Sequence, residues 1–422
     1  MTDIYLSVDV GGSQTKIIYQ VDDQTKPSYL LLSPEIEEIT KDKLNFFMER
    51  LGWIGSPSPD QQLWVEWNNR VVVLGEFAAN FDPLDRIKEL KYENALWKVL
   101  GAVGLIIELS KVKVTAKKQI YLELALLLPW NEYSDRRRFE EQLRVMLADF
   151  RVRQQYLKVN LERFLCRPEG GGLAALRIKQ QGVDWLRNQQ LAVLMFGHRN
   201  TTALYFDRGQ LKLGDSPLLG FANMLDIVLD MTSGLDRERL SNAIFDARYA
   251  VIDGIYNQNR NHSTRPDWIS FGQIQALASA KDPSLRQKEI SQIADAIRVA
   301  TSQYWDKLQR WMDKILPRPL NEVIIGGGAA YHVEVELEKY FNCAWELQKI
   351  DKYSSVYERT GEYIPKDDKL PMIPMVWGSG FITQVQETFD LDSEQTYRYS
   401  TSARLVDCFG MFDYLLGMET SQ

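Results

Sequence analysis

The sequence predicts an α/β fold of two duplicated lobes, and three observations lead to it. A strand, a small polar turn with glycine, a second strand, a polar turn and a third strand follow one another near the start of the chain, and the same series recurs in the second half. The 422 residues exceed what one hydrophobic core usually serves. With 45% hydrophobic and 25% charged residues, the composition is that of a globular protein with a sizeable core. We therefore expect two lobes with smaller subdomains.

The first series of strands begins the chain. Ile4–Val8 reads as a buried strand, Thr15–Tyr19 as its hairpin partner and Ser28–Leu32 as a third strand. The turn Gly11-Gly12-Ser13-Gln14 joins the first two strands, and its glycines let backbone N–H groups approach a bound anion with no Cβ in the way. A phosphate-binding turn and an ordinary hairpin turn explain this segment equally well.

Two charged residues flank this turn. Asp9 lies where the first strand ends, and a carboxylate there can hold a hydrated Mg²⁺ ion through water. Lys16 lies at the start of the second strand, from which its ammonium group can reach a phosphate as a point charge. We expect Asp9 to serve the metal and Lys16 the phosphate.

The second series lies in the other half of the chain. Its strands are Leu191–Phe196, Thr201–Phe206 and Leu211–Leu213, and the turn between the first two is Gly197-His198-Arg199-Asn200. Two such hairpins facing each other would hold a polyphosphate from both sides. A further short strand runs into the triple glycine Gly326-Gly327-Gly328 before a predicted helix, which suits close approach to a nucleoside.

Glu169 is the candidate catalytic residue. It follows the predicted strand Leu161–Cys166 and precedes three glycines, so it lies at a strand-to-helix corner with room for a ligand. A carboxylate in that place can orient water toward a γ-phosphate. The alternative is that Glu169 caps the predicted helix Leu173–Arg187, because a carboxylate favours the positive end of a helix.

These motifs, in this order, resemble those of the actin-fold ATPases, most closely the bacterial ParM-type plasmid-segregation actins. Asp9, Gly11 and Lys16 match the first phosphate motif of that family. The other matching segments are the connecting stretch Leu127–Arg136, the catalytic-glutamate segment Arg167–Gly172, the second phosphate motif at Gly197, Thr201 and Thr202, the segment Gly214–Gly220, and the adenosine motif Gly326–Gly328. The resemblance covers most of the chain.

The resemblance implies an actin-like fold, which is a duplicated ribonuclease H-like fold, and a division into lobes. We expect an N-terminal lobe over residues 1–178, with a small subdomain at about 35–92, and a C-terminal lobe over residues 179–385, with a mostly helical insertion at about 226–288. Residues 386–422 form a C-terminal extension whose apolar part, Leu405–Met418, reads as a helix for packing or assembly.

The resemblance also implies a function. ATP with Mg²⁺, or GTP in its place, is expected in the cleft between the lobes, with Glu169 acting in its hydrolysis. The nucleotide-binding residues that the resemblance implies are Asp9, Gly11, Gly12, Ser13, Gln14, Lys16, Gly197, His198, Asn200, Thr201, Gly326, Gly327 and Gly328. Self-association into filaments follows from the same family, and an adaptor protein would link such a filament to DNA during plasmid segregation.

One position departs from the family. Its second phosphate motif carries an aspartate two residues before the glycine, whereas this chain has Met195 there. Loss of a carboxylate that organises the metal removes transition-state stabilisation, so we expect slow hydrolysis. Two alternatives therefore stay open: a nucleotide-bound scaffold that does not hydrolyse, and a small-molecule kinase on the same duplicated fold.

Composition excludes some other functions. A net charge of −7 disfavours a broad direct contact with nucleic acid, which needs clustered cations. The three cysteines lack C-x-x-C spacing and the three histidines form no zinc-like pair, which disfavours a structural metal. No run approaches the roughly 18 apolar residues of a membrane span, and Asp3 argues against a secretory signal. We expect a cytoplasmic protein.

Overall fold

The computed structural model describes residues 2–22, 24–50, 57–84, 90–113, 119–256, 267–341, 375–391 and 396–418. The chain divides into two compact units. Unit 1 comprises Met1–Gln180, Thr383–Leu391 and Arg404–Gln422. Unit 2 comprises Gln181–Ile382 and Asp392–Ala403. The polar loop predicted at residues 257–266 lies outside the described residues.

Unit 1 is built on a five-stranded sheet. In spatial order its strands are β10 (Val159–Pro168), β7 (Ile120–Leu128), β1 (Ile4–Val10), β2 (Thr15–Val21) and β3 (Ser28–Leu32). Strands β1, β2 and β3 form an antiparallel meander, whereas β1, β7 and β10 run parallel to one another. The carboxyl ends of these three parallel strands therefore meet at one edge of the sheet.

Unit 1 contains a second five-stranded sheet. In spatial order its strands are β4 (Ile36–Ile39), β6 (Arg70–Leu74), β5 (Leu63–Trp67), β8 (Phe150–Val152) and β9 (Gln155–Leu157). The helices of unit 1 are α1 (Lys41–Arg50), α2 (Lys91–Leu109), α3 (Arg136–Leu147), α4 (Gly171–Gln181), α11 (Ile382–Phe389) and the part of α12 (Thr396–Gly417) that follows Ala403. Short 3-10 helices cover Pro59–Gln62, Gly75–Phe81 and Trp130–Asp135.

Helices cover both faces of the main sheet of unit 1. Alternate residues of β7 point to opposite faces, so Leu124 and Leu126 join the large core that includes α2 and α3. Ala125 and Leu127 instead pack against Met411 and Leu415 of α12. The apolar helix predicted at Leu405–Met418 is thus confirmed, and it packs within unit 1.

Unit 2 repeats the same sheet topology. In spatial order its strands are β15 (Met375–Trp377), β14 (Glu322–Gly326), β11 (Gln190–Phe196), β12 (Thr201–Asp207) and β13 (Gln210–Asp215). Strands β11, β12 and β13 form the meander, and β11, β14 and β15 are parallel. The predicted duplication is therefore confirmed, strand for strand.

The helices of unit 2 surround this sheet and build its own core. They are α5 (Val183–Leu186), α6 (Phe221–Met231), α7 (Arg237–Tyr256), α8 (Gly272–Gln275), α9 (Pro283–Ile315) and α10 (residues 334–341), with 3-10 helices at Trp268–Ser270, Gly328–Val333 and Gly378–Phe381. Asp282 caps α9, because its carboxylate accepts from the amides of Ser284 and Leu285. Among all described helices, none is long and apolar enough to cross a membrane.

Three secondary-structure predictions were wrong in part. The segment Glu35–Leu51 reads in the sequence as a charged, helical or partly ordered insertion, but its described residues contain β4 ahead of α1. Apolar residues at helical spacing predict one helix over residues 136–150. The helix instead ends at Leu147, because Phe150 and Val152 alternate as buried residues of a β-hairpin whose turn includes Arg153 at a φ of 53°. The helix predicted to Arg187 breaks at Gly182, whose φ of 89° lies outside the helical region.

Candidate functional site

Asp9 and Glu169 lie at the carboxyl edge of the main sheet in unit 1. Asp9 is opposite Leu127 of β7, and Pro168, which precedes Glu169, is opposite Leu128. The two carboxylates therefore flank the end of β7. In open α/β sheets ligands bind at this edge, outside the carboxyl ends of the parallel strands.

Lys16 forms an ion pair with Asp9. The two residues are partners across the β1–β2 hairpin, and Lys16 Nζ lies 2.6 Å from Asp9 Oδ2. Burial alone would lower the pKa of Lys16, but the attraction and hydrogen bond of Asp9, together with the charge of Glu169, raise that pKa above its usual value. Lys16 is therefore a permanent cation beside the turn.

The turn between β1 and β2 is tight at Gly11. The Gly11 amide donates to the Asp9 carbonyl at 3.0 Å, and a Cβ on Gly11 would lie only 2.5 Å from the carbonyl oxygen of Gln14. Gly12 and Gln14 are half-buried, and Ser13 is exposed. The turn thus has the close backbone approach and the accessibility that anion binding needs.

Glu169 is held on both its backbone and its side chain. Its amide donates to the Leu128 carbonyl at 2.8 Å, and its carboxylate lies 2.5 Å from Nζ of Lys91, the first residue of α2. Both side chains are 9% exposed. Lys91 was not predicted, because no motif or spacing in the sequence marks this lysine.

The capping role considered for Glu169 belongs to another residue. The amides of Gly170 and Leu173, at the start of α4, donate to the carboxylate of Asp407 on α12 at 2.8 and 3.1 Å. Asp407 is 1% exposed, and no acidic residue lies in the first turn of α4 itself. The sequence carried one signal for Asp407: it is one of two acidic residues, with Asp413, in the largely apolar helical stretch Leu405–Met418.

The environment of Asp407 disfavours its charge. Burial, followed by the neighbouring carboxylates of Asp9 and Glu169, outweighs the backbone hydrogen bonds and raises the pKa of Asp407 to about 7. In the unfolded chain the pKa of an aspartate is about 3.9. The folded chain therefore binds more protons between these values, and its free energy of unfolding falls as the pH rises toward about 7.

This shift predicts that the variant Asp407→Asn is less sensitive to pH than the parent chain. Going from about pH 6 to about pH 8, the parent should lose about 1.4 kcal/mol of unfolding free energy at this group, the equivalent of one pKa unit. Urea denaturation of both proteins at both pH values measures the difference, and both values lie above the isoelectric point of about 5.3. Parallel pH dependence in the two proteins would contradict the assignment.

In unit 2 the start of α6 fixes the equivalent turn. The amides of Phe221 and Ala222 donate to the carbonyls of Gly197 and His198 at 3.0 and 2.8 Å. A Cβ on Gly220 would lie 2.3 Å from the His198 carbonyl oxygen, so helix and turn are in backbone contact. His198 is half-buried.

The polar side chains next to this turn form hydrogen bonds with one another and with the backbone. Asn200 is 2% exposed, and its Nδ2 donates to Ser216 Oγ at 2.5 Å. Ser216 Oγ lies 2.6 Å from Thr202 Oγ1, and Thr201 Oγ1 donates to the Leu219 carbonyl at 2.7 Å. The side chains of Asn200 and Thr201, both predicted to contact nucleotide, thus also stabilise the turn. Ser216 was not singled out from the sequence.

Met195 lies between the second phosphate motif and the adenosine motif. In the sheet it is opposite Thr202 on one side and Gly326 on the other, and it is half-buried. Gly327 follows with a φ of 89°, and a Cβ there would lie 2.2 Å from the Phe196 carbonyl oxygen. The motifs of unit 2 are therefore assembled on adjacent strands, around a methionine where the resembled family has a carboxylate.

Metal ligands are sparse in this arrangement. Within the described ranges, no group of three or more His, Cys, Asp or Glu side chains is placed to hold a metal ion. Asp9 lies next to the turn that is predicted to bind phosphate, and a single carboxylate can hold a hydrated Mg²⁺ ion through water.

The fold of the chain is similar to solved structures of actin-like proteins. The actin-like protein Alp7A has a TM-score of 0.55, with 13% identity over 99% of this chain and 97% of that chain. Bacillus thuringiensis ParM with AMPPNP has a TM-score of 0.53, with 11% identity over 99% of this chain and 100% of that chain. Ta0583, an archaeal actin homologue, has a TM-score of 0.50, with 11% identity over 100% of each chain. The predicted actin-like fold is confirmed.

The similarity to these proteins is found by comparing structures. No family model matches the sequence, and no curated protein matches it.

Proposed function

We propose that this actin-like chain is a cytoplasmic nucleotide-binding protein that takes ATP with Mg²⁺, hydrolyses it slowly and assembles into filaments. The observation that carries the proposal is the grouping of Asp9, Lys16 and Glu169 at the carboxyl edge of the unit 1 sheet, beside a glycine turn. The structure of Bacillus thuringiensis ParM with AMPPNP, which shares the fold, supports ATP as the ligand. GTP is the alternative nucleotide.

The residues of the proposed site have distinct roles. Backbone amides of Gly11–Gln14 and the ammonium group of Lys16 would contact phosphate oxygens, and the turn at Gly197–Asn200 would supply further contacts. The backbone at Gly326–Gly328 would accommodate the nucleoside. Asp9 would hold Mg²⁺ through water, and the metal, when bound, would supply charge neutralisation on the phosphates.

Glu169 is the proposed catalytic residue. Its carboxylate would accept a hydrogen bond from the attacking water and orient that water toward the terminal phosphate. The ion pair with Lys91 fixes one carboxylate oxygen at 2.5 Å, which limits the orientations that the carboxylate can adopt. With Met195 in place of a second carboxylate, we propose that hydrolysis is slow.

The biological role is proposed by resemblance to the ParM-type segregation actins. Filaments whose turnover depends on hydrolysis would move or separate DNA through an adaptor protein, since the net charge of −7 disfavours direct contact with DNA. The proposal includes no contact between this chain and a membrane.

Light scattering with parallel phosphate release tests the proposal. Purified protein is mixed with Mg²⁺ and ATP, GTP or AMPPNP, and both signals are followed. Assembly with phosphate release supports the proposed function. Assembly without release supports the nucleotide-bound scaffold instead. With neither signal the filament proposal fails, and a screen of kinase substrates follows.

Restoring the carboxylate at residue 195 should speed hydrolysis. We expect Met195→Asp to raise the rate of phosphate release about ten-fold or more, because a carboxylate there would help to order the metal and its water. The matched control is Met195→Asn, which has nearly the same shape without the charge. Equal rates in the parent, Asp and Asn proteins would show that this position does not limit hydrolysis.

A further inference from the structure

The C-terminal helix contacts the unit 1 site along one face. Arg404, Asp407, Cys408 and Met411 follow the helical spacing that places side chains on a single face. Arg404 Nη1 donates to Gln14 Oε1 at 3.1 Å, and the Cys408 carbonyl accepts from Ser7 Oγ at 2.9 Å. One helical face thus contacts the phosphate turn, strand β1 and, through Asp407, the corner that carries Glu169.

The corner at Glu169 has little conformational preference of its own. Gly170 has a φ of 88°, and three consecutive glycines follow Glu169, so many backbone conformations are accessible to this segment. The two hydrogen bonds from Gly170 and Leu173 to the Asp407 carboxylate select one of them. On the β7 side of the corner, the Glu169 amide donates a hydrogen bond to the Leu128 carbonyl. The backbone of Glu169 is therefore fixed by β7 before it and by α12 after it.

Burying the carboxyl group of Asp407 costs more free energy than capping a helix requires. A neutral Asn, Ser or Thr accepts amide hydrogen bonds at a helix start without burying a charge. Asp407 instead places a carboxyl group, 1% exposed, near two further carboxylates. Costly polar arrangements of this kind concentrate at functional sites.

We propose that Asp407 is a positioning residue for Glu169: by holding the amides of Gly170 and Leu173, it sets the direction in which the Glu169 carboxylate points. The C-terminal helix is then part of the hydrolytic site, and its docking controls whether Glu169 is aligned. This inference rests on the proposed function, in which Glu169 orients the attacking water.

Asp407→Asn tests the role of the carboxylate, and Asp413→Asn is the matched control. Asp413 lies on the same helix and also contacts α4, but through an exposed ion pair in which Lys179 Nζ is 2.7 Å from Asp413 Oδ1. For Asp407→Asn we expect phosphate release to slow about ten-fold or more while KM for ATP stays within about two-fold, the signature of lost positioning and not of lost binding. Asp413→Asn should match the parent within about two-fold. Equal slowing in the two variants, or a change in KM alone, would overturn the proposal.

A second measurement separates this inference from the proposed function. The chain is labelled with ¹³C at the glutamate carboxyl carbons, and the Glu169 signal is assigned by its loss in Glu169→Gln. Asp407→Asn should shift that signal and Asp413→Asn should not, whether or not the parent hydrolyses ATP. An unmoved Glu169 signal overturns the positioning role. Absence of phosphate release from the parent, with a shifted signal, overturns only the proposed hydrolysis.

If Asp407→Asn does not fold, amide hydrogen exchange of the parent protein tests the positioning role of Asp407 instead. The Gly170 and Leu173 amides should be protected, and they should stay protected after addition of Mg²⁺ and AMPPNP, because the proposal needs both bonds in the nucleotide-bound state. Loss of protection at these two amides on adding AMPPNP would overturn it.

Discussion

Replacing Lys91 by methionine is expected to lower the free energy of unfolding by about 3–5 kcal/mol, because the change breaks a buried ion pair by removing the cation that contacts the Glu169 carboxylate. Lys91 Nζ and Glu169 Oε1 are 2.5 Å apart, and each side chain is 9% exposed. Water therefore has little access to the carboxylate in compensation. Urea denaturation at neutral pH, compared with the parent, measures the loss.

A double-mutant cycle distinguishes the ion pair from simple packing. Lys91→Met together with Glu169→Gln removes both charges, so we expect the double variant to recover most of the loss. Lys98→Met is the matched control on the same helix. Lys98 is also buried, but its Nζ donates to the Pro34 carbonyl at 2.7 Å and not to a carboxylate. Equal losses in Lys91→Met and Lys98→Met, or a double variant as unstable as Lys91→Met, would contradict the ion-pair account.

Lys98, the residue changed in the control variant, has a lowered pKa. Burial, and then the positive charge of Lys91, lower the pKa of Lys98 to about 8. The half-buried Glu35 carboxylate acts in the opposite direction and raises this pKa in part. Lys98 therefore loses its charge at mildly alkaline pH, and removing it takes no ion-pair partner from Glu169. The two lysines, two helical turns apart, separate the cost of removing the Lys91–Glu169 ion pair from the cost of losing an aliphatic side-chain stem.

The sequence was sufficient for the three-stranded meander in the main sheet of each unit. The meander strands predicted in each half agree with β1–β3 and β11–β13, because alternating or continuous apolar runs between glycine and polar turns are local signals. The corner position of Glu169 followed from the same kind of signal. What the sequence missed were short strands such as β4 and β8, which are stabilised by pairing with distant strands and carry too few residues to show a period.

The polar partners at the site could not be read from the sequence. Lys91 is 78 residues from Glu169 along the chain, and Asp407 is 237 residues from Gly170. Such pairs are created by the packing of α2 and α12 against the sheet, and a single sequence contains no signal for which helix meets which corner. All of the nucleotide-binding assignments stay predictions, because each of them depends on a contact with the nucleotide itself.

Replacing Gly172 by alanine is expected to destabilise unit 1 by about 3 kcal/mol or more, through overlap of two helix backbones. A Cβ on Gly172 would lie 1.8 Å from the Asp407 carbonyl oxygen, and a Cβ on Gly410 would lie 2.2 Å from the Gly172 carbonyl oxygen. α4 and α12 therefore meet backbone to backbone, with a glycine from each helix at the contact. Because the atoms in contact belong to the two backbones, a change of side-chain rotamer cannot relieve the clash.

Gly171→Ala is the matched control, one residue away on the same helix. Its Cβ would meet Arg167 Cβ at 3.1 Å, a contact that a small shift relieves, while alanine is favoured over glycine in a helix by about 0.5–1 kcal/mol. We expect Gly171→Ala to remain within about 1 kcal/mol of the parent, as measured by urea denaturation. Comparable stability of the two alanine variants would contradict the backbone contact.

Gly172→Ala should also change the alignment of Glu169, the candidate catalytic residue. The atom that the new Cβ would meet belongs to Asp407, so any separation of α4 from α12 lengthens the bonds from Asp407 to the amides of Gly170 and Leu173. Asp407→Asn would then add little to Gly172→Ala, since both changes act on one contact. In the labelled protein, Gly172→Ala should shift the Glu169 carboxyl signal as Asp407→Asn does, and Gly171→Ala should leave it in place. Additive effects of Gly172→Ala and Asp407→Asn would instead mean that the helix crossing and the alignment of Glu169 are independent.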